Sequence, residues 1–145
     1  MTQLYVSIGF FPEDYFKGTI DYIARVQQSD GAIPWFEDGP LDPWDHVESA
    51  MGLAIGDKLD EAQQAYYWLK NNQLENGSWF AAYKNGKVED GTRAESNFVA
   101  YIANGVWHYY LFTGDIEFVI KMWATVSNAM EFVLRLQGPQ GQIYW

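Results

Sequence analysis

Hydrophobic residues recur at three- and four-residue steps along most of the chain, which is the period of an amphipathic α-helix. In the third such segment, Leu59, Ala62, Tyr66 and Leu69 fall on one face. Five segments share this pattern, and each is bounded by turn-forming residues. The pattern therefore predicts five helices, at about 14–28, 42–56, 60–73, 92–114 and 115–137.

Local signals mark the ends of several predicted helices. Asp42 and Pro43 combine an N-cap acceptor with a proline at the first helical position. The spacing of Thr92 and Glu95 predicts a capping box for the fourth helix, and Gly114 predicts its end. These signals place the starts of the second and fourth helices.

The even-numbered helices differ in composition from the odd-numbered ones. The second and fourth contain small residues such as Ala50, Ala54 and Gly105, which let neighbouring helices approach closely. The odd-numbered helices carry charge on one face, as surface helices do. This alternation favours an all-α fold, an incomplete α/α toroid of inner and outer helices, with a TPR-like solenoid as second choice. No segment predicts a β-strand, and the Gly- and Asn-rich stretch 85–91 is expected to be a loop.

A Gln-Gly-Trp element follows each odd-numbered helix. It reads QQSDGAIPWF at 27–36, QLENGSWF at 73–80 and QGPQGQIYW at 137–145. The glycine permits a left-handed turn at the helix end. We expect the glutamine to bond the loose carbonyls there or the free amides of the next helix, and the tryptophan to cover the turn.

One copy of this element lies within a longer run, AxxWLxxxQxxNGSW at 65–79. The run resembles the QW-type repeat of the squalene cyclase and prenyltransferase superfamily of α/α toroids. Segments 30–35, 42–51 and 100–108 are similar to a bacterial prenyltransferase-like family, whose fold is in turn similar to that of six-hairpin glycosidases. The resemblance covers nearly the whole chain and implies a ligand funnel where the inner helices begin.

Two chemical signatures of that superfamily are missing from the sequence. There is no Asp-x-Asp-Asp run, which squalene-type cyclases use as the acid, and no cysteine for the zinc site of protein prenyltransferases. A toroid of six hairpins also needs about 300 residues, whereas this chain has 145. We therefore expect 1–145 to form one partial toroid domain, a fragment comprising the N-terminal hairpins of a larger domain.

Charge and composition exclude several classes of function. The net charge of -10 disfavours nucleic acid and anionic membranes as partners. The absence of cysteine excludes disulfides and thiolate metal sites. The N-terminus, MTQLYVSIGFFPED, lacks a basic region, so no signal peptide is expected. No apolar stretch is long enough to span a bilayer. The protein is expected to be cytoplasmic.

Acidic residues and a histidine occur where the two inner helices begin. A carboxylate at a helix N-terminus has a lowered pKa, and a second carboxylate nearby raises the pKa of one of the pair. Such a split pair suits general acid–base catalysis, so Asp45, His46 and Glu95 are the predicted catalytic residues. The alternative for Asp45 and Glu95 is that each only completes a capping box.

Aromatic residues on the turns, with polar residues beside the helix starts, form the predicted substrate site. In the alternative, the aromatic residues only seal the hairpins. His108 is expected to be a hydrogen-bonded core residue, and a metal site at His46 and Glu48 would have too few ligands. No metal is predicted, and no cofactor is identified. The predicted substrate-binding residues are Trp35, Trp44, Glu48, Trp79, Tyr83 and Asn97.

Three functions remain open from the sequence. The main hypothesis is an enzyme of the prenyltransferase and terpene-cyclase type, acting on an isoprenoid. The second is a six-hairpin glycosidase-like enzyme, in which Asp45 and Glu95 are the acid–base pair and tryptophans bind the sugar. The third is a non-catalytic binding or scaffold module. The predicted partner is a small-molecule substrate, an isoprenoid or a carbohydrate. Separately, the unpaired faces of the second and fourth helices predict self-association.

Overall fold

The chain folds into five α-helices and one two-stranded hairpin over residues 14–145, the part that the computed structural model describes. The N-terminal segment expected not to be a signal peptide lies largely outside these residues. No helix in 14–145 combines the length and apolar character needed to cross a membrane. In chain order the elements are α1 (Lys17–Val26), α2 (Pro43–Ile55), α3 (Leu59–Asn72), β1 (Ala82–Lys84), β2 (Lys87–Asp90), α4 (Ser96–Thr113) and α5 (Ile116–Arg135).

Polar caps fix the starts of α2 and α5. Asp42 Oδ1 accepts a hydrogen bond from the backbone N–H of Asp45 at 3.0 Å, and Pro43 is the first residue of α2. Asp115 caps α5 in the same way through the N–H of Phe118. Each cap satisfies an amide that a helix start leaves without a partner. The predicted starts of both helices are confirmed.

The capping box predicted for α4 is wrong. Thr92 donates its N–H and its hydroxyl to Asp90 Oδ1, at 2.9 and 2.6 Å, so it belongs to a local turn instead. α4 begins only at Ser96, and the side chain of Glu95 makes no capping hydrogen bond. The predicted end is correct, because Gly114 follows α4 in the left-handed conformation with φ of 72°.

The stretch 85–91, predicted to be a loop, forms the turn and the second strand of an antiparallel hairpin. β1 and β2 are joined by Asn85 and Gly86, whose φ angles of 50° and 69° match a two-residue type I′ turn. Tyr83 of β1 also exchanges two backbone hydrogen bonds of 2.8 Å with Leu41. The hairpin is therefore attached to the segment that leads into α2.

The helices pack in two layers. α2 contacts α1, α3 and α4, and α5 contacts α3 and α4. The small residues predicted to face neighbouring helices do so: Ala50 and Ala54 are fully buried, and a Cβ on Gly105 would meet the Val47 side chain at 2.5 Å. α2 and α4 thus form one layer, and α1, α3 and α5 form the other, which we call the outer helices. The continuation of this arrangement into a toroid stays a prediction.

Aromatic side chains fill the space between the layers. Tyr66, Tyr109 and Phe118 are at most 2% exposed. The rings of Tyr109 and Phe118 lie 4.4 Å apart, and Tyr66 donates its hydroxyl to the Gly105 carbonyl at 3.0 Å. The hydroxyl is therefore satisfied at the point where α3 meets α4, as a buried polar group requires.

The three Gln-Gly elements form turns with the same backbone hydrogen bond. We call them the first turn (27–35), the second turn (73–81) and the third turn (137–145). In each, the glycine N–H donates to the carbonyl three residues earlier, at 2.8–2.9 Å, and the glycine has φ of 87–96°. This positive φ explains why glycine occupies the position. The glycines are Gly31, Gly77 and Gly141.

The glutamine does not act as predicted, and the tryptophan covers its turn only in the second one, through Trp79. Each glutamine Nε2 donates to the carbonyl of the turn glycine, at 3.0–3.1 Å, rather than to the end of its own helix. The residue six positions after the glutamine is a large hydrophobic residue that is almost completely buried in the first two turns. It is Ile33 in the first turn and Trp79 in the second, with exposed fractions of 2% and 1%. The tryptophan is therefore not the repeated feature.

Candidate functional site

An open groove of about 390 Å³ lies between α1, the first turn and α2. It brings two exposed carboxyl groups, Asp45 and Glu48, next to two exposed aromatic rings, Tyr22 and Trp35. This mixture of convergent polar groups and aromatic surface is typical of a small-molecule site. We call it the α1–α2 groove. It is lined by Tyr22, Ile23, Val26, Ile33, Pro34, Trp35, Asp45, Glu48 and Ser49.

The cap of α2 also positions Trp35. Asp42 Oδ2 accepts a hydrogen bond from Trp35 Nε1 at 2.7 Å, while its Oδ1 accepts from the Asp45 N–H. The Trp35 N–H donates to the Pro40 carbonyl at 2.9 Å. These bonds fix the indole beside the start of α2 although it is 53% exposed. Asp42, which is 4% exposed, thus joins the two halves of the groove.

Asp45 has a pKa that its surroundings perturb. Its pKa is raised to about 6, first by partial removal from water and then by the negative charges of Asp42 and Glu48. Like charges at short range disfavour ionisation of one member of a group. Asp45 therefore retains its proton at a pH where an ordinary aspartic acid has lost it.

Hydrogen bonds from two aromatic residues hold Glu48. Its Oε1 accepts from Trp44 Nε1 at 2.9 Å and from the Tyr101 hydroxyl at 3.1 Å. The rings of Trp44 and Tyr101 are stacked, with centroids 4.3 Å apart and an angle of 4° between their planes. An aromatic pair from α2 and α4 thus anchors one carboxyl group of the groove.

His46 lies in the core rather than in the groove. It is fully buried; its Nδ1 accepts from the Ile33 N–H at 3.1 Å, and its Nε2 donates to the Ala65 carbonyl at 2.9 Å. Burial lowers its pKa to about 4. Because both ring nitrogens have partners, we leave His46 out of the catalytic proposal below and treat it as a link between the first turn, α2 and α3.

The acids and amide at the start of α4 are not part of the α1–α2 groove. Glu95 is 8% exposed and accepts a hydrogen bond from the Arg93 guanidinium at 2.8 Å. Asn97 is half-buried, and its Oδ1 has no hydrogen-bond partner among the described residues. The structure therefore does not join Glu95 to Asp45 in one groove.

Two of the predicted substrate-binding aromatic residues are packing residues. Trp79 is 1% exposed and donates its Nε1 proton to the Leu69 carbonyl at 2.7 Å. Tyr83 is 6% exposed, and its ring meets that of Trp68 edge to face at 5.1 Å. Both side chains pack the second turn and the hairpin against α3. This agrees with the alternative in which the aromatic residues only seal the hairpins.

His108 lies on α4, whereas the metal site considered from the sequence, at His46 and Glu48, would lie on α2. His108 is only partly buried, its Nδ1 has no hydrogen-bond partner within the described part of the chain, and burial lowers its pKa. His108 was expected to be a hydrogen-bonded core residue. The Nδ1 without a partner and the partial burial contradict that prediction. In residues 14–145 no three His, Cys, Asp or Glu side chains group as a metal site would require.

Sequence reasoning missed two aromatic residues of this region, Tyr22 and Tyr101. Tyr101 lies four residues after Asn97 on α4, so extending that helix face by one turn identifies it. Tyr22 and Asp45 line the same groove because α1 packs on α2, and no spacing in the sequence reports that packing.

Comparison with known proteins identifies one relative of particular interest. No protein-family model matches the chain. Over 137 residues, 94% of its length, the chain is 44% identical to a curated Mycolicibacterium hassiacum protein named MMP endo-(1,4)-3-O-methyl-alpha-D-mannosidase. The matched part is 38% of that protein, so the chain spans well under half of its relative. The similarity favours a glycosidase-like helical fold and gives no specific support to a prenyltransferase-like family.

Proposed function

We propose that the protein takes part in glycoside hydrolysis and that the α1–α2 groove binds the carbohydrate. One observation carries the proposal: an aspartic acid with a raised pKa, Asp45, lies beside an exposed tryptophan, Trp35, in an open groove. The similarity to a mannosidase supports the same conclusion. It favours the glycosidase alternative over the main hypothesis of a prenyltransferase or terpene cyclase.

The chemistry requires two carboxyl groups with different tasks. In most glycoside hydrolases one carboxylic acid protonates the leaving oxygen, and the other acts as base or nucleophile. Asp45, with its pKa of about 6, suits the role of acid. Glu48, three residues further along α2 and held by Trp44 and Tyr101, is the second carboxyl group. This pair replaces the predicted pair of Asp45 and Glu95.

The substrate that we propose is a methylated α-mannoside. The relative's name describes an enzyme for 1,4-linked 3-O-methyl-α-D-mannose. A methyl ether replaces a hydroxyl donor by apolar surface, which is favourable against an aromatic ring. Trp35 and Tyr22, 53% and 37% exposed, provide such surface in the groove.

An isoprenoid diphosphate fits this groove poorly. Phosphate recognition favours arginine or lysine side chains. None of the residues that line the groove is basic, and two of them are acidic. An anionic substrate would therefore meet charges of its own sign.

Titration calorimetry with 3-O-methylated α-1,4-manno-oligosaccharides tests binding to the 145-residue chain, and chromatography of the products tests hydrolysis. We expect Asp45→Asn to retain binding and to lose cleavage, because an amide cannot donate the acid's proton. We expect Trp35→Ala to weaken binding about tenfold or more. Asp60→Asn is the matched control, since Asp60 is also an exposed acid in the first turn of a helix.

Several outcomes decide the proposal. Failure of the wild-type chain to bind any of these oligosaccharides would overturn it. Wild-type turnover by Asp45→Asn would remove Asp45 as the acid. Binding without cleavage by wild type and variant alike would support the third function predicted from the sequence, a non-catalytic binding module.

A further inference from the structure

The first and second turns each bind the next outer helix through the same two contacts. Besides its bond within the turn, Gln27 Nε2 donates to the Glu61 carbonyl of α3 at 2.9 Å. Gln73 Nε2 donates to the Thr125 carbonyl of α5 at 2.9 Å. One amide group thus bridges its own turn and the following outer helix.

The turn glycines make the second contact. A Cβ on Gly31 would lie 2.3 Å from the Gln64 carbonyl oxygen of α3, and a Cβ on Gly77 would lie 2.2 Å from the Asn128 carbonyl oxygen of α5. Any side chain at either glycine would therefore separate the turn from the helix. Glycine is needed here for docking as well as for its positive φ.

The two docking sites have the same register. Glu61 and Gln64 precede Gln73, the glutamine that ends their own helix, by 12 and 9 residues. Thr125 and Asn128 precede Gln137 by the same 12 and 9 residues. Each receiving helix thus presents a pair of backbone carbonyls one helical turn apart. The pair lies the same number of residues before the glutamine that ends that helix.

The third turn has the same internal geometry but no receiving helix among the described residues. Gln137 Nε2 bonds the Gly141 carbonyl at 3.0 Å and has no second carbonyl there. The nearest atom to a Cβ on Gly141 would be 3.9 Å away. Ile143, the counterpart of buried Ile33 and Trp79, is 40% exposed.

An apolar face of α5 leads to this turn. Its large hydrophobic residues are more than half exposed and recur at helical steps along the same side. Leu134 lies five helical turns after Ile116 on that side. The face therefore extends along α5 to the third turn. We call it the apolar face of α5. Its members are Ile116, Ile120, Trp123 and Leu134.

We propose that the third turn and the apolar face of α5 are the docking site for a further α/α hairpin. Its outer helix would place two carbonyls, 12 and 9 residues before its own terminal glutamine, against Gln137 and Gly141. The mannosidase relative, of which the matched residues are only 38%, has the additional length to contain such a hairpin. The proposal is independent of the carbohydrate site.

A chimera tests the proposal: the 145-residue chain replaces the matched segment of the M. hassiacum mannosidase. Gly141→Asn keeps a residue that tolerates positive φ but adds a side chain where the first two turns have no room. Gly86→Asn, at φ of 69° with nothing within 4 Å, is the matched control. Both are measured by thermal unfolding, in the chimera and in the 145-residue chain.

In the 145-residue chain the two variants should melt within about 2 °C of each other. In the chimera Gly141→Asn should melt at least about 5 °C below Gly86→Asn. Equal melting temperatures in the chimera would overturn the proposal. A dimer of the 145-residue chain that Gly141→Asn dissociates in sedimentation would overturn the choice of occupant in favour of a second copy.

The intact mannosidase gives a second measurement if the chimera does not fold. There the asparagine is placed at the residue aligned with Gly141, and the control asparagine at the residue aligned with Gly86. A loss of melting temperature of about 5 °C or more supports the proposal. A loss of melting temperature no larger than that of the control at the position of Gly86 contradicts the proposal.

Discussion

Asp45 and His46 are adjacent in the first turn of α2, yet the pKa values of the two side chains respond to different surroundings. Successive helical residues point about 100° apart, so one side chain reaches the α1–α2 groove and the other the core. Partial burial, followed by the negative charges of its neighbours, raises the pKa of Asp45 to about 6. Complete burial lowers the pKa of His46 to about 4. Asp45 has the pKa that the proposed acid requires, and His46 stabilises the fold.

Replacing His46 by alanine should be strongly destabilising. The change leaves the Ile33 N–H and the Ala65 carbonyl buried without partners, each costing about 1–3 kcal/mol, and opens a cavity. We expect a loss of roughly 3–5 kcal/mol in the free energy of unfolding, measured by urea denaturation. His108→Ala is the control, because His108 is only partly buried, and should cost less than half as much. Equal losses would contradict the linking role of His46.

The same two residues predict opposite pH dependences of stability. His46 has a folded pKa below that of the unfolded chain, so its contribution is lost as pH falls from about 6.5 to about 4. Asp45 has a folded pKa above 3.8, so its contribution is lost as pH rises from about 4 to about 6. His46 is fully buried and less screened by solvent. We therefore expect stability to increase overall from pH 4 to 6.5.

Asp45→Asn tests this balance. The variant removes the term that opposes His46, so the free energy of unfolding should increase more steeply with pH between about 4 and 6 than in the wild type. Urea denaturation at pH 4.5, 5.5 and 6.5 measures the slope. A slope equal to or shallower than that of the wild type would show that the Asp45 proton is not retained by folding.

At the scale of elements, the turns join each outer helix to the next. Gln73 and Gly77 contact the carbonyls of Thr125 and Asn128, which lie 52 and 51 residues further along the chain. The repeated Gln and Gly reveal that a turn exists, since their spacing is local. Their partners could not be predicted, because backbone carbonyls carry no sequence signal.

Gly77→Ala should cost far more than Gly114→Ala, although both glycines have positive φ. The alanine at Gly114 meets nothing within 4 Å and costs only the conformational strain of about 1–2 kcal/mol. The alanine at Gly77 adds an overlap with the Asn128 carbonyl oxygen at 2.2 Å, worth roughly 2 kcal/mol more. Chemical denaturation of both variants gives the difference directly. Similar costs would mean that the second turn is not tightly docked on α5.

Helices were easier to predict than the hairpin for a physical reason. Asp42 and Asp115 act on amides within three residues, so their capping role is visible in the sequence. Asn85-Gly86 is also a local hairpin signal, but the flanking strands have only 3 and 4 residues and little apolar alternation. Pairing of Tyr83 with Leu41, 42 residues away, is part of what stabilises the hairpin.

At the scale of the whole molecule, the sequence predicted the layering better than the site. Small residues such as Ala50 and Gly105 mark the faces on which α2 and α4 contact their neighbours, and both are buried there. Three of the nine predicted site residues, Asp45, Glu48 and Trp35, line one groove. The packing of α1 and of α4 decides which further side chains join them, and only tertiary structure reveals it.

The charge of the whole molecule predicts that salt stabilises the fold. The chain has 19 acidic and 9 basic residues, so repulsion dominates at neutral pH. In the described residues the ion pairs Lys17–Asp21, Arg93–Asp90 and Arg93–Glu95 each have an exposed basic partner, so screening them costs little. Raising NaCl from about 0.01 to about 0.3 M shortens the screening length from about 30 to below 10 Å. The melting temperature at pH 7 should then rise by a few degrees, about 3 °C. Choline chloride should act equally, and a decrease with both salts would show that attractive pairs outweigh the excess of negative charge.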